Sequence, residues 1–345
     1  MNMIYRSKAP LRLGLAGGGT DVSPYSDIYG GAVLNATISL YAHATIEPLN
    51  GNVIIMEAAD QNQQLIFDHT STLPIDGELD LLKAVYNRFK KDHTIPGAGF
   101  HLTTSVDAPL GSGLGTSSTL VVAIVGAFAA MCKVPLSSYE IAHYAYEIER
   151  KDLALAGGKQ DQYAAAFGGV NFMEFHAHDK VNVDTLTIPG TYLQQLQNKL
   201  VLYFTNTSRA SAAIITEQVN NVNNRNEKSI AAMHQLKAQA NMMKHALMNG
   251  NIDAIGEILD YGFTQKKLMA HNISNDSIET IYAAAKKAGA SGGKISGAGG
   301  GGFMVFYCPG NSRDMVIKTL NGFGGIIKDY QFVVEGLTSW SDALV

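Results

Sequence analysis

The sequence predicts an α+β protein built as two compact units. Three observations lead there: the length of the chain, the alternation of short β-rich runs with helical patterns, and a break near Pro189-Gly190. At 345 residues the chain exceeds the roughly 100–200 residues expected of one domain. Apolar residues make up 46 % and charged ones 16 %, enough to give both units a core. The predicted division falls between a unit 1–189 and a unit 190–345.

The opening segment 3–15 alternates as a strand, with Leu11, Leu13 and Leu15 on one side and Arg12 on the other, and ends in Gly17-Gly18-Gly19. Further β-rich runs at 33–38, 43–48, 52–56, 64–67 and 99–105 enclose a helical stretch at 79–91. The segment 116–132 reads as a buried helix; its apolar run, 120–132, is shorter than the roughly 18–20 residues that span a bilayer. Another helix follows Pro135, where Ser137 and Glu140 have capping-box spacing. It carries Ile141, Ala145, Ile148 and Glu149 along one side. Strands at 170–175 and 181–188 close the first unit. The second unit carries helical patterns at 191–197, 227–248, 253–269, 278–288 and 312–320, and strands at 200–205, 294–296, 303–307 and 326–334.

Charge and cysteine content exclude several functions. Lys+Arg number 26 against Asp+Glu 30, so there is no basic face broad enough for nucleic acid, and a small-molecule partner fits better. Only Cys132 and Cys308 are present and the start does not resemble a secretory signal, which points to a reducing, cytoplasmic setting with no membrane partner. A homodimer is compatible with this composition. Glycine, at 35 residues, is clustered, and the clusters are where chemistry is expected.

The loop from Pro109 to Ser118 runs directly into the helix at 116. Its glycines let backbone N–H groups converge on an anion, and the helix start adds unpaired donors and partial positive charge. No Lys follows the second glycine as a Walker A loop requires, so a phosphate cradle here is of another kind; a flexible turn with Ser/Thr caps explains the loop equally well. Lys294 to Phe303 contains the dinucleotide spacing Gly297, Gly299, Gly302, but a strand follows it instead of a helix. That leaves close backbone approach to a ligand or an ordinary hairpin. Glu149 shares a stripe with Ala142 and Ala145, where a carboxylate needs a cation or solvent. Asp161 falls in a first helical turn, where complementing the dipole suffices to explain it. Arg12 and Asp21 flank the first glycine turn, and each is as readily a surface charge.

In this order the residues resemble the three motifs of the GHMP small-molecule kinases: 9–21, 109–118 and 294–303. The resemblance implies an N-terminal ribosomal-protein-like α/β domain and a C-terminal ferredoxin-like domain with ATP and substrate between them. It implies that Gly111, Ser112, Gly113, Leu114, Gly115, Thr116, Ser117 and Ser118 wrap the triphosphate. Ser117 and Glu149 would hold Mg²⁺, Asp161 would take the proton from the acceptor hydroxyl, and Arg12 would stand near the transferring phosphate. Gly18, Gly19, Thr20, Asp21, Gly299 and Gly300 are expected on the substrate. The sugar branch usually reads Gly-Glu-His-Thr-Asp where this chain has Gly17-Gly18-Gly19-Thr20-Asp21. With 30–38 and 158–169, that departure resembles the branch that phosphorylates the anomeric hydroxyl of a phosphorylated heptose. Such a substrate needs a cation at its distal phosphate, for which Lys159 and Arg209 are the candidates; both read equally well as solvated charges. The rival readings are a fucose- or galactose-type kinase and a silent binding module on the same scaffold.

Overall fold

The structure, a computed structural model, describes residues 3–68, 72–97, 99–207 and 211–343. Among these residues there are twelve strands. They are β1 (Met3–Ala16), β2 (Gly31–Leu49), β3 (Val53–Ala58), β4 (Gln63–Asp68), β5 (Gly99–Val106) and β6 (Val170–Phe175), then β7 (Val181–Thr185), β8 (Leu200–Phe204), β9 (Gly292–Ile295), β10 (Phe303–Tyr307), β11 (Ile326–Ile327) and β12 (Thr338–Ala343). The first sheet runs β12-β1-β2-β5-β3-β4, with β6 on β2 and β7 on β6. The second runs β11-β8-β10-β9.

Three apolar clusters hold these layers. On one face of the first sheet the helix Thr116–Cys132 packs with Asp80–Asp92, Ser138–Glu147 and Gln160–Phe167 around Phe89, Phe100 and Phe128. The helix at 116 has no charged residue and is buried almost throughout, as its sequence predicts. A second cluster joins the units: Leu11, Leu13 and Leu15 of β1 meet Leu202, Phe303 and Val305 of the second sheet. The alternation of β1 thus puts its leucines into the seam and leaves Arg12 on the opposite face. A third cluster lies under the helices Glu227–Met248, Asp276–Lys287 and Arg313–Asn321.

The expected strands 33–38 and 43–48 form the single strand β2, a short helix Tyr25–Tyr29 has no counterpart in the sequence pattern, and three further elements differ from expectation. β12 crosses back to the first unit and pairs with β1 from Met3↔Ala343 to Lys8↔Thr338. Its residues are mostly exposed, so no apolar alternation announces it, and the backbone ladder holds it. The expected strand 326–334 shrinks to β11, with a single bridge from Phe332 to Ile38. A helix at Ala212–Asn223, hidden behind a Thr/Ser/Asn-rich lead-in, buries Ile214, Gln218 and Val222 at helical spacing.

Candidate active site

The helix at 116 begins without a side-chain cap: Gly115 sits before it with φ +78° in the left-handed region. First-turn N–H groups of an uncapped helix need an outside acceptor. They border a cavity of about 370 Å³ to which Gly111, Gly113, Gly115, Thr116, Ser117 and Ser118 contribute. Ser112 and Leu114 are not among its walls. Leu114 is buried in the seam and its carbonyl accepts from Arg12 N at 3.2 Å. The Ser112 carbonyl accepts from Phe303 N at 2.8 Å.

The β9–β10 hairpin carries the third glycine cluster, and it presses against this loop. Ser296 Oγ donates to Gly113 O at 2.8 Å. A Cβ on Gly113 would lie 2.5 Å from Ser296 O, and one on Gly297 would lie 2.6 Å from Gly113 Cα. Gly297, Gly299 and Gly301 reach the cavity. Gly300 does not; its N–H donates to Ile273 O at 2.9 Å. The glycines therefore serve both as hairpin and as close-packed wall.

Across from the helix start, Arg12 Nε donates to Asp161 Oδ1 at 2.7 Å and Nη1 donates to Gly113 O at 2.6 Å. Asp161, in the first turn of Gln160–Phe167, stands against Gly115, where a Cβ would be 3.2 Å from Oδ2. Glu149 follows the helix Ser138–Glu147 in a single π turn, Ile148–Asp152, a widened turn frequent at functional sites. It is 2 % exposed. Ser118 Oγ donates to its Oε1 at 3.0 Å and Gln162 Nε2 donates to its Oε2. Burial pushes its pKa up, opposed mainly by the Arg150 guanidinium, 3.7 Å away. Ser117 borders the cavity, but the hydroxyl that meets the carboxylate is that of Ser118.

The first glycine turn is clasped by Asp21. Its Oδ2 accepts from the N–H groups of Lys159 (3.0 Å) and Gln160 (3.1 Å). Oδ1 accepts from Gly19 N and Gln160 Nε2, both at 3.1 Å. Gly19 and Asp21 border the cavity. Thr20 does not; its Oγ1 lies 2.8 Å from Gly17 O and 2.9 Å from Ala32 O. Gly18 turns its carbonyl to Lys266 Nζ at 3.3 Å. Lys159 departs from expectation: its ammonium meets Asp179 at 3.0 Å and Asp27 at 3.5 Å, away from the cavity wall. Arg209 lies outside the described residues.

Residues 80–169 match the family model for the GHMP kinases N terminal domain and 243–323 that for GHMP kinases C terminal. The chain is 45 % identical over 335 residues to the D-glycero-alpha-D-manno-heptose 7-phosphate kinase of Campylobacter jejuni, spanning 97 % of this chain and 98 % of that one. It belongs to the GHMP kinase family. This GHMP kinase is also similar to the crystal structure of a D-glycero-D-manno-heptose 1-phosphate kinase from Bacteroides thetaiotaomicron, with TM-score 0.83, 44 % identity and coverage of 97 % and 98 %. The Lactococcus lactis galactokinase structure, 18 % identical with TM-score 0.76 over 97 % of this chain and 95 % of that one, shares the fold.

GHMP kinases generally use ATP with Mg²⁺, and the donor set fits both. The uncapped helix start and glycine backbone suit an anionic triphosphate. Mg²⁺ is held through one or two carboxylates together with phosphate oxygens, and Glu149 with its adjoining hydroxyls supplies that; no group of three or more acidic, His or Cys ligands occurs among the described residues. Sequence reading missed Gln160, Gln162, Gln218 and Lys266 in and around this GHMP kinase cavity. Lys266 ends the helix Ile255–Lys266, where a lysine reads as an ordinary complement to the dipole. It is instead 3 % exposed, with a pKa pulled down by burial to about 8.

Proposed function

We propose that this kinase transfers the γ-phosphoryl group of ATP to the anomeric hydroxyl of D-glycero-D-manno-heptose 7-phosphate, giving the 1,7-bisphosphate for nucleotide-activated heptose synthesis. The observation that carries the reading is the Arg12–Asp161 pair standing beside Gly113 and Gly115 at the foot of the helix. A hydroxyl docked on Asp161 is then next to any phosphate cradled by that loop.

Asp161 orients the acceptor hydroxyl and takes its proton as the oxygen attacks the γ-phosphorus. The bond from that phosphorus to the bridging oxygen breaks and ADP leaves with the electron pair. Arg12 holds the Asp161 carboxylate in place and adds positive charge beside the transferring group, because such transfers depend mainly on positioning and charge placement. Glu149 and Ser117 would hold Mg²⁺, which when bound neutralises the triphosphate; Ser118 and Gln162 fix the Glu149 carboxylate. We assign 1–189 and 190–345 as the two domains, the last strand returning to the first, and the cytoplasm as the location, where the free thiols of Cys132 and Cys308 are stable.

The heptose branch is supported by the 45 % identity to the Campylobacter jejuni enzyme. The test is ADP release over phosphorylated and free heptoses, fucose and galactose, with phosphorus NMR identifying the acceptor oxygen. Turnover of a free hexose matching that of the heptose phosphate overturns the substrate assignment.

A further inference from the structure

A cation reaches the floor of the cavity with no acid to meet it. Lys266 Nζ has one hydrogen-bond acceptor among the described residues, Gly18 O at 3.3 Å, and no ion pair there. An ammonium carries three donors, so most of its capacity is unspent in a place where water scarcely reaches. The other cations on the cavity wall are committed. Arg12 is bound to Asp161 and Gly113 O; Arg150 donates to Gly158 O and lies beside Glu149.

The surroundings of Lys266 leave space and unmatched positive charge. A Cβ placed on Gly18 would lie 3.8 Å from Nζ and 4.0 Å from Gln160 Nε2, ordinary contact distances, so the ammonium and the amide both border this glycine. Asp21, the nearby acid, already accepts four hydrogen bonds from Gly19, Lys159 and Gln160. Lys294, behind, gives its ammonium to Gly14 O at 2.8 Å. The remaining neighbours on this side, Gln160 and Gln218, are neutral amides. Gly113 O accepts from Arg12 and Arg12 donates to Asp161; the neighbouring Gln160 donates through Nε2 to Asp21, while Lys266 donates to Gly18 O on the same glycine turn. Lys266 therefore shares the cavity wall with Gly19, Asp21 and Gln160, and Gly19 and Asp21 are residues expected on the acceptor.

We propose that Lys266 binds the phosphate already carried by the acceptor and so selects a phosphorylated sugar over a free one. The assignment rests on the sugar-phosphate reading above and replaces Lys159 in that role. A phosphomonoester dianion supplies the acceptor oxygens the ammonium lacks, in a site where its charge is little screened.

The experiment compares wild type with Lys266→Met, which keeps the length and loses the charge, and with Lys266→Arg, which keeps the charge. The readout is kcat/KM for D-glycero-D-manno-heptose 7-phosphate divided by that for the unphosphorylated heptose. The ratio falls by about 10–100-fold in Lys266→Met, as expected for a lost charged hydrogen bond, and is largely retained in Lys266→Arg. A proportional loss with both sugars, which marks a ring-hydroxyl or structural role, overturns the proposal. So does a rise confined to the KM for ATP, which would put the γ-phosphate on this lysine. Wild type with no preference for the phosphorylated sugar removes the substrate reading itself; a preference that survives Lys266→Met removes only the role of Lys266.

Discussion

Arg12 and Asp161, 149 residues apart in sequence, meet at 2.7 Å, and the same guanidinium holds the carbonyl of Gly113. One side chain thus sets the acid against the loop that opens the long buried helix. Replacing Asp161 by Asn keeps an oxygen for Arg12 but removes the carboxylate proposed to accept the proton. The expected result is a fall in kcat of about 10²–10⁴ with both Michaelis constants nearly unchanged. Stability falls by about 1–2 kcal/mol, the scale of a weakened charged hydrogen bond. Steady-state kinetics and urea melts check both numbers, and near wild-type turnover removes the assigned role.

Much of this site could be read from local pattern, because local physics specifies it. The leucines of β1 alternate, so Arg12 had to face the other way; Ser137 and Glu140 form the capping box their spacing announces. The glycine clusters were visible too, although their use as mutual packing surfaces, Gly113 on Ser296 and Gly297, needed the fold. What stayed hidden was decided by distant partners. Asp21 looked free to meet a sugar, yet its acceptors are filled by groups near residue 160. At Lys159 the backbone turns toward Asp21 while the ammonium leaves for Asp179, a direction no motif encodes. Lys266 becomes exceptional only in the fold, which buries it with Gly18 O, from the other end of the chain, as its one hydrogen-bond acceptor among the described residues.

Glu149 is a buried carboxylate whose pKa burial raises. The protonated form is favoured in the fold, so that stabilisation is full below the ordinary glutamate range and is lost as pH rises through the raised value. Above that raised value, without metal, the charged group is a burden on the fold. Glu149→Gln is therefore expected to melt no lower than wild type in EDTA, while the extra stability that wild type gains from Mg²⁺ with ATP disappears. Turnover at saturating ATP then needs more Mg²⁺. Thermal melts with and without Mg²⁺, and a metal titration of the rate, test this; an unchanged Mg²⁺ requirement contradicts the ligand role.

Gly113 has φ +86°, and a Cβ there would approach Ser296 O to 2.5 Å. Gly77 shares the left-handed backbone, at φ +101°, but a Cβ on it would meet nothing within 4 Å. Alanine at 77 pays only the backbone cost of about 1–2 kcal/mol. Alanine at 113 adds displacement of the third glycine loop, so its loss of stability is larger and the KM for ATP rises. Equal stability and unaltered ATP binding in the two variants would show that the loops do not need this close approach.

The charge on Lys266 makes two pH effects that can be separated. Its pKa, drawn from 10.5 to about 8, is lowered first by burial and then by Arg12, against the pull of Asp21; Lys294 stands beyond Gly14 and Asp161 beyond Gln160. Unfolded, the lysine keeps its proton up to about pH 10, so between the folded and unfolded values the unfolded chain binds more protons and stability rises with pH. Below that window the charge opposes folding by roughly 3 kcal/mol, from 2.5 pKa steps. Lys266→Met is accordingly expected to be more stable than wild type near neutrality, with the difference shrinking toward about pH 10. In wild type alone, the KM for the acceptor phosphate rises once pH passes 8, as the ammonium loses its proton. Denaturant melts and acceptor kinetics across this range read the two effects; a stability difference that does not change with pH would show that Lys266 is not buried as a cation.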